Sequence, residues 1–110
     1  MEMRGPLDLL VLATLARTES AHGYALIVAL RESTGGALDL AEGTVYPALH
    51  RLERDGWVGS VWSTEAGRRR RVYSITAAGR TALAAKKREW SRLVDVVDLV
   101  TRPLRKARTA

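Results

Sequence analysis

The residues best suited to chemistry are arginines: AGRRRRVYSIT, residues 66–76, places Arg68, Arg69, Arg70 and Arg71 in an unbroken run that leads into an alternating apolar segment. Guanidinium groups stay charged at neutral pH and so serve as neither acid nor base, and they bind carboxylates and phosphates through fixed N–H forks. Their chemistry is therefore recognition of anions. A second set lies upstream in EGTVYPALHRLERDG, where Thr44, Tyr46, Pro47, His50, Arg51 and Arg54 alternate with apolar residues at helical spacing. Catalytic patterns are missing: serine, histidine and aspartate occur, but without a nucleophile elbow, a phosphate-cradling glycine loop or an HExxH pattern. Two histidines and no cysteine offer no ligand spacing for a metal, so neither a metal nor another cofactor is expected. The formal charge of +6 and pI near 10.5 name a polyanion as partner, nucleic acid ahead of an acidic membrane surface.

These residues need elements to hold them. The chain has 110 residues, 46% of them apolar, which suits one modest core. No apolar run reaches the ~18 residues of a membrane span. The run in MEMRGPLDLLVLATLA lacks a basic start and a cleavage site and is interrupted by Asp8, so it reads as a first helix rather than a leader. The absence of cysteine fits a reducing interior, and the cytoplasm is the expected location.

Pro6 suits a first turn, and Leu7, Leu10, Val11 and Leu15 repeat at helical spacing to about Ala16. A polar link, RTESAHG, precedes a second helix from Tyr24 that ends at Gly35-Gly36. Val45, Leu49 and Leu52 form the buried stripe of a third helix, which turns Thr44, Pro47, His50, Arg51 and Arg54 outward. Tyr46 lies at the border, either to reach a phosphate or to rest half-buried against a wing formed by the segment downstream. Thr44 as N-cap would put Pro47 in the first turn, whereas an earlier start would place the proline inside the helix. His50 can donate to a base or phosphate, and local capping is the favoured use of His22.

WVGSVWS and RRVYSI, joined by a loop, form a two-stranded hairpin. Alternation sets Arg69 and Arg71 on the face of Tyr73 and Ile75, with Arg68 and Arg70 on the other. Thr76 then caps a last helix. The fold class expected is mainly α with a small β-hairpin: a winged helix-turn-helix with a three-helix core, a two-stranded wing and a long C-terminal dimerisation helix. The arginines would stand at the wing tip beside the reading helix, where charge drives binding to DNA. The competing use is solubility, or protection of an exposed strand edge.

In the last helix Leu83, Trp90, Val97 and Leu104 recur every seven residues, with Leu93 and Val100 between them. Such a stripe exceeds what a small winged domain can cover, so a second copy of the chain is the expected partner. The alternative is packing back on the first helix of the same chain. Pro103 ends the helix and leaves a basic tail. The organisation expected is a winged unit over 1–76, a dimerisation helix over 77–102 and the tail over 103–110.

GPLDLLVLATLA, HGYALIVAL, EGTVYPALHRLERDGWV, GRRRRVYSITAAGR and REW together resemble the PadR family of transcriptional regulators across about residues 4 to 92. The short C-terminal segment is similar to the branch with a single long last helix. The resemblance implies a homodimeric repressor that binds an inverted-repeat operator in double-stranded DNA and releases it when an effector binds. It implies DNA contacts from Thr44, Tyr46, Pro47 and His50 on the recognition helix, Tyr24 near phosphates, and Gly67, Arg68, Arg69 and Arg70 at the wing. It also implies an aromatic or planar small-molecule effector at the dimer centre, with Trp90 at the pocket and Leu93, Val97, Leu7 and Leu10 around it; Trp90 as a packing residue that closes the dimer is the preferred reading. Relatives often carry serine or threonine where this chain has Ala41. From another class, the competing function is a winged-helix protein-interaction module whose arginines meet an acidic partner surface.

Overall fold

The computed structural model describes residues 4–104, with only the backbone of Arg4. Three helices form the core: α1 (Arg4–Thr18), α2 (Gly23–Ser33) and α3 (Glu42–Arg54). Leu12, Leu15, Leu26, Leu49 and Leu52 meet there with no exposed surface. α2 ends as its glycines dictate, with Gly35 and Gly36 at φ +60° and +87° and the Gly36 N–H on the Arg31 carbonyl at 2.8 Å.

The sheet has one strand more than the expected hairpin. β2 (Val58–Glu65) and β3 (Arg68–Ile75) pair antiparallel from Val58↔Ile75 to Glu65↔Arg68. Ala66 and Gly67 join them with φ of 50° and 75°, a two-residue turn whose twist matches that of the strands. A short β1 (Ser20–His22), inside the stretch expected to be a polar link, pairs with the other edge of β3 through Ser20↔Ser74, Ala21↔Tyr73 and His22↔Val72. The order is β1-β3-β2, and the β3 edge from Arg71 to Arg68 extends beyond β1. Tyr73, on the inner face of β3, is buried against the helices.

α4 (Ala77–Thr101) starts at Thr76, whose hydroxyl accepts the Gly79 N–H at 3.0 Å and donates to the Gly56 carbonyl at 2.7 Å. Its first turns pack on α1, and Leu83 joins the edge of the core. From residue 87 to residue 101 every side chain is exposed. At 1.5 Å per residue the helix is about 37 Å long, and the molecule measures 74 × 29 × 22 Å. Arg102 takes an extended conformation (φ −58°, ψ 134°) ahead of Pro103, which stops the helix. The expected basic tail lies outside the described residues from 105 onward. No helix among the described residues is long and apolar enough to cross a membrane.

Candidate nucleic-acid interface

α3 begins at Glu42, earlier than Thr44 as N-cap would require. Ala41 stands at the cap position without a side-chain hydrogen bond, as an alanine there must. Pro47 is thus inside the helix and denies the Gly43 carbonyl an i+4 donor. Thr44, Pro47, His50 and Arg54 are exposed on the outward face.

Arg51 departs from the expected placement. It turns inward and pairs with the Asp8 carboxylate of α1, the two side chains being only 16% and 8% exposed. The rest of the buried stripe is apolar, so Asp8 is its natural counterion. Arg51 Nε has no partner, which marks the pair as tightly enclosed.

Tyr46 is half-buried, and its support comes from α2. A Cβ on Gly23 would lie 2.4 Å from the ring, so the glycine of the HGY sequence lets the tyrosine lie flat over the first turn of α2. Tyr46 and Tyr24 then line one groove with His22, Glu42 and Arg68 through Arg71. The groove runs between the free edge of β3 and the starts of α2 and α3. The sequence-named Tyr24, Tyr46, Arg68, Arg69 and Arg70 converge here; Gly67 sits in the turn beyond.

The two faces of the arginine run are separated as alternation predicts. On the inner face Trp62, opposite Arg71 in register, carries the Arg69 guanidinium 4.4 Å and that of Arg71 5.2 Å from its ring centre. Glu53 of α3 also faces Arg71 at 3.5 Å and accepts the Ser60 hydroxyl, which ties the wing to the end of α3. On the outer face Arg70 lies 2.9 Å from His22. Sequence reasoning missed Trp62 as an organiser of the wing; the available signal was a tryptophan in the strand preceding the run, at alternating spacing.

Away from this face, a hollow of about 190 Å³ lies between α1 and α4, lined by Gly5, Pro6, Leu9, Lys86, Glu89, Trp90 and Leu93. Of the residues expected around an effector at the dimer centre, Trp90 and Leu93 line this hollow within one chain. Leu7 does not, because its side chain is buried in the core; Leu10 packs on the core edge and Val97 lies beyond the hollow. The α1 side chains that line it opposite α4 are Pro6 and Leu9. Of the seam residues, Leu83 is half-covered by its own chain, while Trp90, Leu93, Val97 and Val100 are 40–78% exposed.

Residues 11–85 match the transcriptional regulator PadR-like family. The chain belongs to that family. PadR-like proteins are DNA-binding transcriptional regulators, not enzymes. This PadR-like chain is 41% identical over 76 residues to Transcriptional regulator Rv3488 of Mycobacterium tuberculosis, a match covering 69% of the chain and 58% of that protein. It thus spans less than two thirds of that relative's length. A transcriptional regulator from Clostridium thermocellum superposes with a TM-score of 0.84 at 29% identity, over 91% of this chain and 97% of the other. A PadR family transcriptional regulator from Eggerthella lenta does so at 0.81 and 32%, over 92% and 86%. The PadR-like winged-helix architecture, mainly helical with a small sheet, holds here.

Proposed function

We propose that the protein is a dimeric, cytoplasmic repressor that binds an inverted-repeat operator and lets it go when a small-molecule effector binds. The observation that carries this reading is the separation of surfaces. The arginine groove and the outward face of α3 lie on the winged unit, whereas the exposed apolar residues lie along α4, so pairing through α4 leaves both reading helices free for one duplex.

The apolar face of α4 is wider than a two-helix seam. Val94, Val96 and Leu99 flank Leu93, Val97 and Val100, and all are at least 39% exposed. A partner therefore contributes more than a matching α4 stripe. The hollow beside Trp90 would lie at the margin of such an interface, and its apolar walls with Lys86 and Glu89 suit a planar aromatic ligand bearing a polar edge.

Selection from random duplex DNA on the purified protein at about 0.15 M salt, near physiological ionic strength, tests the reading. Enrichment of an inverted repeat is the expected result. Tight binding with no enriched sequence would replace it with the protein-interaction module, whose arginines meet an acidic partner surface.

A further inference from the structure

His22 makes two contacts that one neutral imidazole cannot both accept. Its Nδ1 accepts the Ala25 backbone N–H at 3.2 Å and closes the start of α2. The ring proton of the neutral form must then sit on Nε2. The atom facing Nε2, at 2.9 Å, is Nη1 of Arg70, and a guanidinium has only donors to offer. In that tautomer two donors converge without an acceptor, and in the other, with Nε2 accepting from Arg70, the Ala25 N–H loses its cap.

The surroundings indicate the missing group. Among the described residues no carboxylate pairs with Arg70. Glu65 lines a separate hollow on the outer side of Arg70, beside His22 and Val72, and Glu42 lies across the groove, without bonding either donor. His22 is the last residue of β1 and Arg70 stands two residues past its partner Val72, so the pair flanks the open edge of β3. Tyr24, Tyr46 and the other wing arginines surround that opening.

We propose that His22 Nε2–H and the Arg70 guanidinium together bracket one backbone phosphate of bound duplex DNA. This deepens the DNA-binding reading and rests on it. A phosphate oxygen accepts both N–H groups, relieves the donor conflict and ties the wing to the start of α2. His22 then has two roles, capping through one nitrogen and binding through the other.

The test uses the full chain and a duplex carrying the selected repeat, with affinity followed by anisotropy across salt concentrations. His22→Asn keeps an N-cap acceptor and removes the Nε2 donor, so its melting temperature should match the parent's while His22→Ala melts lower. We expect His22→Asn and Arg70→Gln each to weaken binding about fivefold or more without changing the preferred sequence. Arg70→Gln should also reduce the log–log salt slope by about one, and the neutral His22→Asn should leave it unchanged. Because both donors hold one phosphate, the double variant should bind little worse than Arg70→Gln alone. In the free protein, ¹⁵N shifts of His22 should report the Nε2–H tautomer. A His22→Asn protein that binds like the parent, multiplicative losses in the double variant, or an Nδ1–H tautomer would each overturn the bracket while leaving DNA binding intact. A parent that binds no duplex would overturn both.

Discussion

In the helical core Leu12, Leu15, Leu49 and Leu52 have no exposed surface, whereas along the outer half of α4 Leu93, Val97, Leu99 and Val100 leave 42–78% of theirs open. The residue types are the same; the availability of partners differs. Burying such a side chain stabilises by about 1.5–3 kcal/mol. The winged unit draws this stabilisation from its own chain. The outer half of α4 draws only part of it, and its 25-residue amphipathic helix leaves an apolar face that the proposed second copy would cover. Stability of the first region should be independent of protein concentration, and order in the second should depend on it.

The largest effect expected lies inside the self-contained region. Asp8→Ala would strand the Arg51 guanidinium beneath α3 and cost about 3–5 kcal/mol, measured by denaturant unfolding at several protein concentrations with the same loss at each. Replacing both partners, Asp8→Leu with Arg51→Met, should restore stability close to the parent's, because an apolar pair avoids the desolvation that the ion pair must overcome. A double variant as weak as Asp8→Ala would mean that the ion pair fixes how α1 and α3 meet.

Next come two changes that set the regions against each other. Leu49→Ala removes core contacts and should cost about 2–5 kcal/mol whatever the concentration. Val97→Glu should barely alter the winged unit, yet yield a monomer by sedimentation and abolish any rise of melting temperature with concentration. If the parent is already a monomer at every concentration, the proposed dimer fails and the contrast becomes one of exposure alone. At the joint between the regions, Thr76→Ala removes the α4 cap and should cost about 1 kcal/mol in unfolding experiments.

Much of this division was legible in the residues. The heptad repeat located the unpartnered face, Thr76 marked the start of α4, and Pro103 marked its end. Alternation sorted Arg69 and Arg71 from Arg68 and Arg70. The losses have local causes. β1 is three residues long, too short for a period to show, and it forms only because β3 offers an edge at Ser74 to Val72. Arg51 sits near the boundary of the buried stripe, where 100° arithmetic cannot choose a side. Asp8, forty-three positions earlier, chooses it. Likewise, the spacing of Leu7 and Leu10 marks an apolar face of α1 but not that Pro6 and Leu9 line the hollow opposite α4. The convergence of His22 on Arg70 joins positions forty-eight apart and depends on that same unforeseen β1.

The smallest effect concerns pH and belongs to the winged unit alone. Burial pushes the Tyr73 phenol above its ordinary value of 10.0; Arg71 opposes the rise, and Glu53 and Tyr46 add to it. The unfolded chain ionises this group near pH 10 while the folded chain still holds the proton. The folded state therefore binds the proton more tightly, and its advantage is complete below about pH 10 and falls as pH climbs through the folded value. Tyr73→Phe keeps the ring in the core and removes the titration, so its unfolding free energy should decline less than the parent's above about pH 10. Equal alkaline losses in the two proteins would assign the decline to other groups and show that the inner face of β3 is more hydrated than its burial implies. A difference confined to alkaline pH would show that the phenol holds its proton in a dry core formed by the helices and β3, in contrast to the open face of α4.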